Sequence, residues 1–181
     1  KLALWIMNII QKHTGGFCSF FDVFAGTASI SKAVIPYADK IIMNDFLYSN
    51  NIIYKAFFSK GEYDDVKLLS LITRYNSINP DSIPNNYFSD NFGDKFFAYK
   101  NAKLIGWIRE DIERHRKSLT EKEYAILLAS LIYSIDKIAN TVGHFDAYIK
   151  KSIAYYPLTL QLIKPLSPKS VEIYREDSNL L

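Results

Sequence analysis

Cysteine occurs once in 181 residues, as Cys18, so no internal disulfide can form and the chain must rely on an apolar core. No basic-apolar-small leader and no long uncharged apolar run is present. The signatures of secretion and of a membrane span are therefore missing, and the cytoplasm is the expected location. Charge is short on both sides: 22 basic against 19 acidic residues leave +3, so any grip on a polyanion would have to come from local patches. His13, His115 and His144 are far apart and lack the paired spacing of a zinc site, and Cys18 has no histidine motif beside it. No metal site is expected. What is abundant is apolar material, 49% hydrophobic and 15% aromatic, enough for one core in one domain or one domain with an insertion.

The clearest local pattern begins at Ser19. The run to Phe24 is rich in aromatic and β-branched residues and reads as a strand buried on both faces, and Ala25-Gly26-Thr27-Ala28 then supplies small side chains that let a ligand approach the backbone. Ser29 to Val34 reads as a short helix stopped by Pro36. A second apolar run, Lys40 to Met43, ends at Asn44-Asp45, which puts Asp45 at the carboxyl edge of the neighbouring strand. There its two oxygens can accept from two ribose hydroxyls. Asp45 could equally be only the N-cap of a helix beginning near Leu47. A dinucleotide turn would want G-x-G-x-x-G, whereas only Gly26 is present here, which makes a nicotinamide oxidoreductase a poor fit. S-adenosylmethionine carries no phosphate and asks less of the turn.

Five blocks, taken together and in order, resemble the D12 class of DNA adenine-N6 methyltransferases. They are Phe21 to Ser29, Asn44 to Ser49, Asn86 to Ser89, Asn91 to Gly93 and Asn140-Thr141-Val142-Gly143-His144-Phe145-Asp146-Ala147-Tyr148. The resemblance covers nearly the whole chain. It implies a Rossmann-like α/β methyltransferase fold with an inserted, mainly helical target-recognition region. It also implies that Phe24, Ala25, Gly26, Thr27 and Ala28 form the cofactor turn, with Asp45 and its neighbour Phe46 at the ribose of S-adenosylmethionine. Lys1 would be the tail of the family's N-terminal cofactor motif. Asp177 would accept from the cofactor adenine.

Two departures stand out. Ala28 replaces the last glycine of the turn, which narrows the room for the methionine portion. The family's catalytic Asp-Pro-Pro-Tyr occurs nowhere between Lys1 and Leu181, so no catalytic residue is assigned. In such enzymes that element holds the target amine and stacks on the extruded base. Residues 170–181 resemble the strand and acidic turn that precede it, and the chain is expected to be a fragment of a longer enzyme.

Near Ser59 the alternation of strand and helix stops. Residues 1–59 are expected to form the cofactor part, 60–165 the helical insertion and 166–181 a returning strand. Asp64 to Tyr75 predicts a helix, and residues 76–85 a loop. Asn101 is the expected N-cap of a helix through Lys117, and Thr120-Glu121-Lys122-Glu123 is a capping box for a longer helix ending near Asn140.

Arg109, Arg114, His115, Arg116 and Lys117 form a basic cluster that could contact DNA. The interleaved Glu110, Asp111 and Glu113 make it equally readable as a solvated helix face. Asn140, Thr141, His144 and Tyr148, with the basic Lys150 and Lys151, are the stronger DNA-contact candidates. Asn140 or Gly143 would serve as well as a left-handed helix cap. Asn86 to Ser89 and Asn91 to Gly93 could be a surface loop that stacks on bases, or aromatic anchors that fasten the insertion to the sheet.

The sequence thus points to a site-specific adenine methyltransferase acting on double-stranded DNA, with S-adenosylmethionine as cofactor and a cognate restriction endonuclease as a possible partner. The alternative is a non-catalytic DNA- or partner-binding protein with a degenerate methyltransferase fold.

Overall fold

The computed structural model describes residues 2–150 and 153–181. It divides into two compact units, Lys1–Glu62 with Lys164–Leu181, and Tyr63–Ile163.

The first unit is built on a three-stranded parallel sheet in the order β1 (Ser19–Asp22), β2 (Lys40–Asn44), β3 (Val171–Tyr174). Ser19 pairs with Lys40 and Asp22 with Met43, while Ile41 pairs with Val171 and Asn44 with Tyr174. Parallel neighbours need a crossover, and α2 (Ser29–Val34) supplies the one between β1 and β2. Helix α1 (Leu2–Thr14) packs on α2, and α3 (Tyr48–Phe57) packs on β3. Val34, Ile41, Met43, Tyr54 and Phe58 form the core.

Strand β2 is central, with Ile41 and Met43 fully buried. Strand β1 departs from expectation: it stops at Asp22 rather than Phe24, and it is not buried on both faces, with Phe21 41% and Phe24 77% exposed. Its burial alternates, with Ser19 and Phe21 exposed and Phe20 and Asp22 half-buried, so one face is packed on the core and the other is open among the described residues.

The second unit is helical: α4 (Asp65–Asn76), α5 (Tyr87–Phe92), α6 (Tyr99–Arg114) and α7 (Glu121–Asp136). Its caps follow from local chemistry. The Asp64 carboxylate accepts from the Val66 and Lys67 amides, and Thr120 and Glu123 close a reciprocal capping box. Glu123 is buried, and burial by itself would raise its pKa. The Lys67 ammonium at 2.7 Å and the Thr120 and Asp64 amides outweigh that and hold the carboxyl below its ordinary value.

Three local expectations are corrected. Helix α6 starts two residues before Asn101, with Ala98 as N-cap. Asn101 is instead a buried tie: its amide donates to Tyr156 O and accepts from Leu158 N. Helix α7 ends at Asp136 and not near Asn140, so neither Asn140 nor Gly143 caps it. Residues 87–92 form a helix rather than a loop, opened by an Asn86 capping box. Its rings stack on one another and on the neighbouring phenylalanines, Phe88 to Phe92 at 4.7 Å and to Phe97 at 5.6 Å.

The segment 153–163 has no regular secondary structure, yet Leu158 and Leu160 are buried. Side chains satisfy its backbone. Asn76 pairs with both the N–H and the C=O of Leu160, Ser134 Oγ accepts from Gln161 N, and Ser130 Oγ from Ile163 N. A buried backbone without such partners would be costly. Among the described residues no helix is long and apolar enough to cross a membrane, and no group of three metal-ligating side chains occurs.

Candidate functional site

At the carboxyl ends of the strands the chain turns sharply after β1. Gly26 has φ +52, a left-handed conformation that glycine adopts without strain. Its peptide is held from both sides: Gly26 N donates to Asp45 Oδ2 at 2.9 Å, and the Tyr54 hydroxyl donates to Gly26 O at 2.6 Å. Burial first, and then the Asp45 carboxylate, push the Tyr54 phenol well above its ordinary value, so it stays protonated and donates.

Asp45 also accepts from Leu47 N on its other oxygen, at 2.9 Å. It therefore orders the entry to α3 without being the N-cap, which is Leu47. Oδ2 is also approached by the Tyr54 hydroxyl at 3.4 Å, whereas Oδ1 has the Leu47 amide alone and keeps a lone pair for a ligand hydroxyl.

Ala28 completes the turn with φ 57, again left-handed, and is 3% exposed. The backbone keeps a shape that suits glycine although the residue is alanine. Ala25 N donates to Asn44 O, and the hydroxyls of Thr27 and Ser29 pair at 2.9 Å.

Beside this turn lies a cavity of about 280 Å³ lined by Phe24, Asn44, Phe46, Glu176, Asp177 and Ser178. That is near the low end of ordinary ligand pockets, about 300–1,000 Å³. Phe24 and Phe46 are 77% and 71% exposed, two large apolar walls facing solvent. Asp177 accepts from Asn179 N and Nδ2, both on Oδ1, and these bonds hold its carboxyl below the ordinary range.

The lining suits an adenosyl group better than a dinucleotide. Aromatic faces can take the base, and carboxylates can accept from ribose hydroxyls and the exocyclic amine. The acids Glu176 and Asp177, with no basic residue in the lining, would repel a pyrophosphate. Lys1 lies outside the described residues.

Residues that the sequence left without a role hold this site together. Asn44 is 1% exposed, and its amide bonds Val23 O, Glu176 O and Glu176 N. Tyr54, within α3, reaches back to Gly26. The only sequence signal for Asn44 is a polar residue closing an apolar run, and a tyrosine inside a helix gives none.

In the helical unit, residues 140–149 form a closed loop. Thr141 and Tyr148 make an antiparallel bridge, and Ile149 N donates to Asn140 O at 3.1 Å. Asn140 Nδ2 donates to Lys95 O and Ile149 O, and Asn140 N to Phe96 O. Both side-chain amide hydrogens of Asn140 are thus committed, one to the loop at Ile149 and one to Lys95 outside it, which makes it a clamp rather than a free donor. Phe145 and Tyr148 stack on Phe96, at 6.1 and 5.2 Å. Thr141, Val142, Gly143 and His144 are left at the tip, where Val142 is 67% exposed and His144 Nδ1 lies 3.4 Å from Asp146. Lys150 is exposed, and Lys151 lies outside the described residues.

The basic cluster on α6 is largely paired. Arg109 meets Glu113 and Arg116 meets Glu121, while Asp111 takes Arg74, Arg114 and the Tyr75 hydroxyl. The structure favours its reading as a solvated helix face.

Comparison with known proteins follows the same line. The chain is 30% identical over 183 residues to the type II methyltransferase M.CviAII of Paramecium bursaria Chlorella virus 1, covering 99% of this chain and 56% of that protein. It is 27% identical over 192 residues to the type II methyltransferase M.NlaIII of Neisseria lactamica, covering 100% of this chain and 57% of the relative. It is 28% identical over 166 residues to the modification methylase LlaI of Lactococcus lactis subsp. lactis, covering 83% of this chain and 26% of that one. The chain thus spans little more than half the length of the first two relatives. No solved structure gives a significant match. The family model for D12 class N6 adenine-specific DNA methyltransferases matches residues 1–180. With the parallel sheet, the glycine turn and the acid at its edge, this places the chain in the D12 class of N6 adenine-specific DNA methyltransferases.

Proposed function

We propose that this chain is the cofactor-binding and target-recognition part of a site-specific DNA methyltransferase, one that transfers a methyl group from S-adenosylmethionine to the N6 amine of a flipped-out adenine, within a restriction-modification system. The observation that carries the reading is the Gly26 peptide fixed between Asp45 and Tyr54 beside a cavity walled by Phe24 and Phe46.

In this reading Asp45 accepts from the ribose hydroxyls, Phe24 and Phe46 flank the base, and Asp177 accepts from the adenine amine. The turn from Ala25 to Ala28 lies against the methionine portion. The sulfonium supplies an activated methyl group, and the chain's own residues bind and orient it. Thr141, His144 and Tyr148 address double-stranded DNA from a loop that Asn140 holds in shape, and the basic Lys150 and Lys151, which follow in sequence, add phosphate contacts. The helical unit, Tyr63–Ile163, would make up the target-recognition insertion expected over residues 60–165, and the enzyme would work in the cytoplasm beside its DNA.

Activation of the amine needs an acid-Pro-Pro-aromatic element, which residues 1–181 do not contain. Two experiments test the reading. Calorimetric titration of the purified chain should show binding of S-adenosylmethionine and none of NAD. Incubation of the full-length product with plasmid DNA and methyl-labelled cofactor should place the label on adenine N6 within one short sequence. Absence of label from every adenine would refute the proposal.

A further inference from the structure

We infer that Asn44 is a positioning residue that sets the relative placement of Phe24, Asp45 and Asp177, three of the four side chains assigned to the adenosyl group, an inference that rests on the cofactor reading above. Its side chain crosses the top of the whole sheet. Nδ2 donates to Val23 O at 3.2 Å, just past β1, and to Glu176 O at 3.1 Å, just past β3. Oδ1 accepts from Glu176 N at 2.9 Å, and the Asn44 main-chain carbonyl accepts from Ala25 N at 2.9 Å. All the bonding capacity of the amide hydrogens is used, and the residue is 1% exposed, so no water replaces a lost partner.

The pattern has a specific consequence. The residues that Asn44 grips are Val23, itself and Glu176. The residue that follows each of them in sequence is Phe24, Asp45 and Asp177. One amide therefore fixes the backbone immediately before an aromatic wall, before the ribose acid and before the adenine-edge acid. The ladder cannot do this, because β1 ends at Asp22 and β3 at Tyr174, short of the ligand residues. Beyond the last ladder pair the three chain ends would otherwise splay with the sheet twist. A hydrophobic residue of similar volume would fill the space and leave the two chain ends unlinked.

The test is a double-mutant cycle on the purified protein, read by calorimetric affinity for S-adenosylhomocysteine, with thermal melting to confirm that each variant is folded. Asn44→Asp keeps the shape and the acceptor for Glu176 N but removes both donors, and Asn44→Ala removes the whole tie. Asp177→Ala removes one of the positioned acids. Asn44→Asp should weaken binding at least tenfold. Asp177→Ala should then cost clearly less in the Asn44→Asp background than in the wild type, because the acid is no longer held at the ligand.

Asp45→Ala should show the same coupling if Asn44→Ala is used in place of Asn44→Asp. Equal costs of Asp177→Ala in both backgrounds, or unchanged affinity in folded Asn44→Asp protein, would overturn the inference and leave Asn44 a purely structural residue. Failure of the wild type to bind S-adenosylhomocysteine would overturn the cofactor reading itself, a separate and recognisable outcome.

Discussion

The two loops that carry the candidate contacts, residues 23–28 and residues 140–149, are each tied by one asparagine, and they differ in what surrounds the tie. Asn44 is sealed beneath the first loop and has strand ends on either side. Asn140 is half-buried at the neck of the second, where solvent reaches its partners. Removing a buried donor leaves its partners without water and costs their full desolvation, whereas an exposed tie is replaced by water at modest cost. The first loop is therefore built to hold one shape. The second has a tied neck and an aromatic flank but an exposed tip, Val142 to His144.

Five substitutions would break or sharpen this contrast. The largest effect is expected from Asp45→Ala, which removes the partner of Gly26 N and the proposed ribose acceptor together. Affinity for S-adenosylmethionine should fall about 100-fold, in line with about 1.5–3 kcal/mol for hydrogen bonds to a charged group, while DNA retention on a filter is unchanged. Gly106→Ala comes next. A methyl group there would press on Asn86 Oδ1 and Phe88, and Asn86 cannot swing aside because it caps α5. Overpacking of this kind costs about 1–3 kcal/mol, measurable as a lower denaturation midpoint of the helical unit.

Asn140→Ala should cost about 1 kcal/mol of stability and lower DNA affinity in a gel-shift assay, with cofactor binding intact. Loss of cofactor binding in that variant would contradict the separation of roles.

The fourth concerns alkaline pH. Burial, and then the Asp111 charge, push the Tyr75 phenol from its ordinary 10.0 up to about 12. Because the folded value is the higher one, this contribution to stability is complete below pH 10 and is lost as pH rises toward 12. Tyr75→Phe should lower the melting temperature at pH 8 through the lost bond to Asp111, yet flatten its decline between pH 10 and 12.

The smallest effect is expected from Ala28→Gly. Relief of a left-handed alanine is worth about 1–2 kcal/mol, and loss of its buried methyl takes back about 0.8 kcal/mol. The melting temperature should rise slightly.

Local pattern made some of this legible. The strand of Lys40 to Asn44, the Gly26 turn, the acid at Asp45 and the Thr120 capping box each leave a short-range signature that survives in the structure. What escaped was set by long-range partners. Asn101 looks like a helix cap until Tyr156 and Leu158 arrive to claim its amide, and Asn140 looks like a cap until Lys95 and Ile149 do so. Ser19 to Phe24 reads as a doubly buried strand because its composition is apolar, whereas its exposure depends on which face the rest of the fold covers, and one is left open among the described residues. The family resemblance, in contrast, was legible because it rests on several separated blocks, and the match spans residues 1–180.

The tie between Asn44 and Glu176 also has a meaning in time. Its partners lie 132 residues apart in the chain, so two distant segments have to meet before β3 can pair with β2. Closing so long a loop is slow for an unfolded chain, while a stretch that has already collapsed into helices brings its ends together sooner. The floor of the candidate cofactor pocket is therefore expected to assemble after the helical unit. A defect in that unit, such as one at Gly106, would be felt as delayed recovery of cofactor binding during refolding, with no direct change to any residue that touches the ligand.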